Sequence, residues 1–473
     1  MATQLNNWLS IDKVSGTGNA QITLTASSYS ELVDRAASLR IQSQSTNAIL
    51  NVRQKAYTPI EKNNNYFWIE FENTGGEVSG LSGEMYVGGI KIDIYYSFDA
   101  NTWTAVDSTG VVSLGTNRLV YLKNETKLLI YQDSGNVIRH TRIGFNSNAK
   151  IGGDLSSMTE IGRYGEAGQD GCEELFYENE YLTDASELIL PWDTLVLNCY
   201  HSMFYGCRNL IAAPVLPATT LAYMCYAYMF NGCASLIAAP KLPATTLADM
   251  CYASMFSGCA RLTTEPALPA TTLAYRCYES MFSDCASLIA APELPATTLA
   301  DMCYTFMFAG CSSLTTAPVL PATTLADMCY GSMFQDCTSL VNAPVLPATT
   351  LTKECYRSMF LGCSSLVNAP VLPATTLADY CYNAMFYNCT SLVTAPALPA
   401  TTLAVGCYGS MFYNCTNLTY IKMLATDISA NSCISLWVAN VSTTGTFVKH
   451  PDANIPTGTS GIPDGWTVET ATS

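Results

Sequence analysis

Cysteine is the residue type with the greatest chemical potential in this 473-residue chain, and its spacing is regular. Nineteen of the twenty cysteines form two series that advance by 26 residues, from 199 to 433 and from 207 to 415. Thiols in such series could bind a metal, form disulfides or pack as small apolar groups. The gaps of 8 and 18 residues do not match C-x-x-C metal sites, and none of the three histidines follows the period. We therefore expect no metal site and no other cofactor.

Stacked columns of identical side chains point in parallel directions, which suits disulfide geometry poorly. We expect buried free thiols that act as small hydrophobic groups and donate a weak S–H hydrogen bond to a turn carbonyl. Disulfides that join neighbouring units are the alternative in an oxidising compartment.

The cysteines mark nine units of 26 residues across residues 199–432, with the pattern C-Y-x-x-M-F-x-x-C-x-x-L-x-x-A-P-x-L-P-A-T-T-L-A-x-x. A fixed period of this size is typical of a solenoid, in which each unit buries its apolar face against the next. Leu247, Cys251 and Met255 recur at every fourth residue, which predicts one face of a short helix. Thr246 and Asp249 fit a capping box at its start.

The end of that predicted helix carries residues that tolerate a left-handed backbone. Gly258 occupies the position in one unit, and Asp284, Asp336, Asn388 and Asn414 occupy it in others. The prolines that follow limit the next strand to three or four residues. The sequence therefore predicts a unit of short strand, turn, short helix and turn.

This pattern, as written in residues 251–274, resembles the leucine-rich repeats of Bacteroidetes surface proteins. The resemblance covers residues 199–432. It implies an α/β leucine-rich-repeat solenoid with 26-residue repeats, of a kind that serves adhesion.

Residues 1–57 alternate apolar and polar side chains, which predicts a small all-β domain. Trp8-Leu9-Ser10-Ile11, the Ser15-Gly16 turn, Arg35-Ala36 and the closing Val52-Arg53-Gln54 resemble the BACON family. That resemblance implies an immunoglobulin-like sandwich and binding to carbohydrate or mucin.

Residues 58–153 read as a second β domain, with a hairpin at residues 97–103 and strands at 66–71, 90–96, 119–121 and 127–131. Residues 154–198 form an acidic linker and a degenerate N-terminal cap repeat. In that repeat, Leu175-Phe176 stands for Met-Phe and Asn179 for the second cysteine. We interpret the acidity as a solvated cap rather than a Ca²⁺ site, since the D-x-D-x-D-G loop is missing. Residues 433–473 form a C-terminal β cap, in which Trp437 replaces the repeat methionine.

The net charge of −16 argues against nucleic-acid binding and against docking on an anionic membrane. No apolar run reaches the roughly 18 to 20 residues that span a bilayer, so we expect no membrane insertion. The start MATQLNNWLSIDK lacks the features of a signal peptide, so we expect no export by the general route. G-x-S-x-G, H-E-x-x-H and Walker A motifs are missing, and the conspicuous residues occur nine-fold, which favours packing and binding over catalysis.

Function should then lie in the variable columns of the repeat, where exposed aromatic side chains can stack on sugars. The candidate ligand-binding residues are Tyr205, Tyr223, Tyr228, Tyr275, Phe306, Tyr387 and Tyr413. The alternative is that these rings fill gaps beside their neighbours.

We expect a non-enzymatic adhesion protein whose partners are glycans, a host cell-surface receptor or other virion proteins. Adhesion modules without an export signal favour a bacteriophage fibre, tail or capsid-decoration component, assembled in the host cytoplasm and carried in the virion. The first alternative is a secreted Bacteroidetes cell-surface adhesin, and a glycan-active enzyme is the second. The sequence leaves the stoichiometry open, a homo-oligomer included.

Overall fold

The computed structural model describes residues 3–6, 9–11, 24–26, 35–42, 47–54, 62–81, 86–87, 90–91, 93–127, 129–132, 138–159 and 171–471. For the residues among these that precede 62, and for 86–87, 90–91, 130–132 and 138–139, it describes the backbone alone. The chain divides into two compact regions, Met1–Lys62 and Asn63–Ser473.

In the first region, the residues that the structure describes form five β strands. β1 (Thr3–Asn6), β2 (Leu9–Ile11) and β3 (Leu24–Ala26) form an antiparallel sheet, while β4 (Arg35–Gln42) and β5 (Asn47–Gln54) form a hairpin. These strands agree with the alternation in the sequence, but they do not test the predicted immunoglobulin-like sandwich.

The second region begins with short strands that form small sheets. They are β6 (Phe67–Phe71), β7 (Glu77–Ser79), β8 (Tyr86–Val87), β9 (Ile90–Lys91), β10 (Ile94–Ser97), β11 (Thr104–Ala105), β12 (Val112–Ser113), β13 (Leu119–Asn124), β14 (Ile130–Gln132), β15 (Ile138–His140), β16 (Gly144–Phe145), β17 (Ala149–Asp154) and β18 (Leu182–Ile189). A six-stranded sheet has the order β11-β10-β13-β6-β17-β18, and a three-stranded sheet has the order β12-β7-β16. β8 pairs with β9, and β14 pairs with β15.

The hairpin predicted at residues 97–103 lies between β10 and β11. Its turn is held by Asp99, whose Oδ1 accepts hydrogen bonds from the backbone N–H groups of Asn101 and Thr102, both at 2.8 Å. These hydrogen bonds lower the pKa of Asp99 to about 2.

The six-stranded sheet continues directly into the repeats. β18 pairs in parallel with β17 on one side, and Asp184 bridges Ala212 of the first repeat on the other. One hydrophobic core extends from Phe67 through all the repeats to Trp466. The second β region and the repeats are therefore built on one core.

Each repeat unit has two contrasting parts. We call residues 248–259 and their equivalents at 26-residue intervals the turn segment, and residues 262–272 and their equivalents the proline segment. The turn segment is not a helix. Among the described residues the only helical element is the 3₁₀ helix Leu155–Ser157, so the predicted repeat helix is wrong.

The turn segment is a run of tandem turns with two alternating sets of hydrogen bonds. Every second N–H donates to the carbonyl three residues earlier, as Ala253 N–H does to Met250 at 3.1 Å. The N–H groups between them donate to the next unit, as Tyr252 does to Cys277 at 3.1 Å and Phe256 does to Met281 at 2.9 Å. These turns therefore satisfy backbone N–H and C=O groups both within a unit and between units. A helix would satisfy them only within itself.

This backbone requires a left-handed residue at every fourth position. Met250, Ser254 and Gly258 have φ of 56°, 51° and 74°. The left-handed conformation predicted at Gly258 is confirmed, and Asp284, Asp336, Asn388 and Asn414 share it with φ of 56° to 61°. The predicted capping box is wrong, because Asp249 Oδ1 accepts a hydrogen bond from Tyr275 N–H of the next unit at 3.0 Å.

Columns of Cys, Tyr, Met, Phe and Leu side chains fill the core between units. Phenylalanine rings from Phe176 to Phe412 stack with centroids 5.4–5.8 Å apart and planes within 10°. Tyrosine rings from Tyr200 to Tyr408 stack at 5.6–6.2 Å. Residues 26 apart in the sequence are thus neighbours in space.

Both ends of the stack close with modified units. Phe176 begins the phenylalanine column, and Asn179 Nδ2 donates to the Ile143 carbonyl at 3.0 Å, so both fill the roles predicted for them. At the other end, β19 (Tyr420–Met423), β20 (Thr446–Lys449) and β21 (Thr467–Thr470) form a parallel sheet. Trp437 is fully buried and its Nε1 donates to the Gly461 carbonyl at 2.8 Å.

Candidate interaction surfaces of the repeats

The thiols of the repeats lie in the core and contribute to its packing. All twenty cysteines are buried and free. In the second series each Sγ lies 3.0–3.2 Å from a phenylalanine carbonyl of the preceding unit, as for Cys311 and Phe282, which confirms the predicted S–H donor. Burial raises the pKa of the Cys207 and Cys415 thiols to about 12. Such thiols are poor nucleophiles and poor metal ligands at neutral pH.

Within the residues that the structure describes, no group of three His, Cys, Asp or Glu side chains is arranged to hold a metal ion. Two of the three histidines nevertheless meet at one carboxylate. His140 Nε2 lies 3.5 Å from Glu173 Oε2, and His201 Nδ1 lies 3.3 Å from Glu173 Oε1. Through Glu173, these two histidines join β15 to the first units of the stack. Their spacing in the sequence gives no sign of this contact.

Three of the predicted ligand-binding tyrosines share one column of the turn segment but lie at opposite ends of the stack. Tyr205 stacks on Tyr177 with centroids 4.8 Å apart, and Tyr387 stacks on Tyr413 at 4.7 Å. All are partly exposed. The structure thus shows two separate aromatic pairs, and the sequence analysis missed Tyr177 because it lies before the regular repeats.

The other predicted residues are dispersed. Tyr223 and Tyr275 are 44% and 40% exposed, with one unit between them. Their hydroxyl oxygens lie 3.4 and 3.9 Å from the sulfur atoms of Met250 and Met302. The seven candidate residues therefore do not converge on one site.

Tyr228 and Phe306 occupy a further column, three units apart, and both are partly buried. The ring of His201 contacts Tyr228 edge-on, with centroids 5.6 Å apart. Tyr228 and Phe306 have left-handed φ angles, of 57° and 56°. The turn geometry therefore sets the direction of both side chains, and the two residues do not line a common pocket.

One cleft adjoins a predicted residue. Tyr205 rests on Tyr177 on one side, and its column continues with the shorter Asn231 on the other. A cleft of about 360 Å³ lies there. Its lining residues are Glu178, Glu180, Tyr205, Gly206, Arg208, Asn231 and Gly232. An aromatic ring beside amide, guanidinium and carboxylate groups is chemistry that suits a sugar.

The proline segment carries a different surface, which the sequence analysis missed. Val319, Val345 and Val371 are 77–78% exposed in three successive units. Around them, Val341, Val367 and Val393 are 41–47% exposed. The available signal was the apolar residue between the two prolines of A-P-x-L-P, where alternation points the side chain away from the core.

Charge is missing from the same part of the stack. Residues 312–326, 338–352, 364–378 and 390–404 contain no Asp, Glu, Lys or Arg. Three of the four earlier proline segments carry a charge in that column or beside it, at Lys241, Glu265 and Glu293, while the first, at residues 210–220, carries none. We call the outward side chains of these four uncharged stretches the valine face.

Comparison with known proteins finds one family model that is similar to part of the repeats. Residues 330–442 match, in six copies, the family model described as the BspA type leucine rich repeat region. This part of the chain is therefore similar to leucine-rich repeats, as its sequence pattern predicted. No curated protein and no solved structure matches the chain. Among the described residues, no helix has the length and apolar character needed to cross a bilayer.

Proposed function

We propose that this chain is a non-enzymatic binding protein of the adhesin type, which holds its partners on the outer surface of a leucine-rich-repeat solenoid of 26-residue units. The observation that carries the proposal is the division of labour within each unit. Cysteine, tyrosine, methionine and phenylalanine are buried in every unit, while the outward columns vary and display Tyr, Val, Thr and Asn.

A glycan is the ligand class that the turn side supports best. The cleft beside Tyr205 combines an aromatic ring with polar side chains, and its walls carry few apolar groups. The resemblance of residues 1–57 to BACON domains, which implies carbohydrate or mucin binding, supports the same class. No residue of that domain is assigned a role.

Glycan-array binding with the full-length protein tests this proposal. We expect binding that Tyr205→Ala weakens about five- to thirty-fold, because the ring supplies about 1–2 kcal/mol of stacking and apolar contact. Tyr181→Ala is the matched control, since Tyr181 is 42% exposed but does not line the cleft. Equal loss in both variants, or undiminished binding by Tyr205→Ala, would contradict a sugar site at this cleft.

For the location we propose a bacteriophage virion, as a fibre, tail or capsid-decoration component, with the bacterial cell surface as the alternative. Support comes from the two resemblances together, since BACON-like domains are familiar from tail proteins of gut phages. Mass spectrometry of purified virions and of host outer membranes separates the two locations. Detection only in host membranes would contradict the virion assignment.

A further inference from the structure

The valine face is an uncharged surface with exposed apolar side chains that extends over four successive repeats. Val345 lies at its centre, with Val319 and Val371 in the units on either side, and all three are more than three-quarters exposed. Alternation along the segment also turns Pro347 outward, and it is partly exposed. Proteins that work as monomers rarely leave such contiguous apolar surface in water.

The charge distribution restricts what can cover it. The chain carries a net charge of −16, so two copies repel each other at most orientations. Over the four uncharged stretches, however, two copies can approach without bringing carboxylates together. A strongly charged partner would gain no electrostatic contact there.

The spacing of the valines favours a partner with the same spacing. Successive units lie about 4.8 Å apart, as neighbouring strands do, so the exposed valines form ridges at that interval. A second copy carries the same ridges at the same interval. A two-fold axis through Val345 would place Val319 of one copy against Val371 of the other, which is the self-complementary contact that a symmetric dimer requires.

The available area suits a weak dimer. Residues 341–350 span about 30 Å at roughly 3.3 Å per residue, and four units span about 19 Å, so each copy offers roughly 600 Å². The total of roughly 1,200 Å² is at the lower limit for specific interfaces. From these four observations we propose that the valine face is a homodimer interface, in which a second copy of this chain packs against Val319, Val345 and Val371.

Sedimentation velocity on the full-length protein, from about 1 to about 100 μM, tests the dimer. We expect a dissociation constant on the order of 10 μM, which corresponds to about −7 kcal/mol. Added salt should strengthen association, because it screens the repulsion between two acidic chains while leaving the apolar contact intact. An interface built on ion pairs would weaken with salt.

Val345→Asp should abolish the dimer, since it sets two carboxylates against each other at the symmetry axis. Val215→Asp is the matched control, because Val215 occupies the same column and is 71% exposed but has Lys241, not a valine, at its position in the next unit. Near-UV circular dichroism of each variant verifies that the fold is kept. A wild-type chain that stays monomeric at every concentration, or a dimer that Val345→Asp leaves unchanged, would overturn the proposal. Glycan binding by monomeric protein is measured separately, so the two proposals can fail independently.

Discussion

The turn segment and the proline segment of the same unit differ in their role: the first holds neighbouring units together, and the second exposes side chains to solvent. Turn segments exchange regular backbone hydrogen bonds with the next unit and bury Cys, Tyr, Met and Phe. Proline segments meet their neighbours mostly through isolated bridges, such as that between Asn342 and Asn368, and leave valine and threonine exposed. The interactions that stabilise the stack therefore lie mainly on the turn side, and the positions whose residue type can vary lie mainly on the proline side.

The largest effect should come from alkaline pH, which acts on all the turn segments together. Burial raises the pKa of the Cys277, Cys311 and Cys355 thiols from 9.0 to about 12. A raised folded-state pKa means that this stability is complete below about pH 9 and is lost between about pH 9 and 12. Each such thiol lowers the free energy of unfolding by up to about 1.4 kcal/mol for every pH unit above pH 9. We therefore expect cooperative unfolding soon above pH 9.

Tyrosinate absorbance with near-UV circular dichroism, in the presence of a reductant, measures this transition. Burial also raises the pKa of Tyr252 and Tyr304, so the buried tyrosines should ionise only as the stack unfolds. Gradual ionisation of all tyrosines, with unchanged circular dichroism, would contradict the burial of these columns.

Loss of one ring from the phenylalanine column should have the next largest effect. Phe308 is fully buried between Phe282 and Phe334. Phe308→Ala should lower the free energy of unfolding by about 3–5 kcal/mol, through lost apolar transfer and a residual cavity. Urea denaturation measures the change, and a loss below about 1 kcal/mol would show that neighbouring units collapse into the gap.

A smaller effect should distinguish residues at the left-handed position. Gly232 has φ of 74°, and an added Cβ would lie 3.6 Å from its nearest neighbour, so the conformation alone opposes a side chain there. We expect Gly232→Ala to cost about 1 kcal/mol. Gly232→Asn should cost less, because asparagine tolerates the left-handed backbone, as Asn388 and Asn414 do in this column with φ of 61° and 59°. Thermal denaturation of the two variants compares them, and equal costs would remove the special role of asparagine.

The smallest effect should come from the valine face. Val345→Thr should change the free energy of unfolding by less than about 0.5 kcal/mol when measured at submicromolar protein, where the chain is monomeric. Urea denaturation alongside Phe308→Ala makes the comparison between the two sides of one unit direct. A large loss would mean that Val345 supports the core.

The sequence predicted the columns well, because identical residues at a fixed interval leave little choice about what stacks on what. The roles of Phe176 and Asn179 in the degenerate unit, and the left-handed backbone at Asp284, followed from residue type alone. The strands of the β regions were located to within a few residues for the same reason, since alternation is a local signal.

The repeat helix was predicted wrongly because apolar residues at every fourth position suit both a helix and a run of four-residue turns. The strict interval of four through Leu247, Cys251, Met255 and Cys259 matches the turns better, since a helix advances by 3.6 residues per turn. Methionine and serine at the left-handed positions give no local sign of them. Long-range contacts, such as that of His140 and His201 with Glu173, have no sequence signal at all.

The alternating hydrogen bonds of the turn segment have a mechanical consequence. Because each unit is held mainly by the unit before and the unit after it, tension applied between the two ends should peel units away singly from an end. Every detached unit would release 26 residues, or roughly 90 Å of extended chain. A stack with this construction would lengthen in steps of that size under load and shorten again when the load is removed.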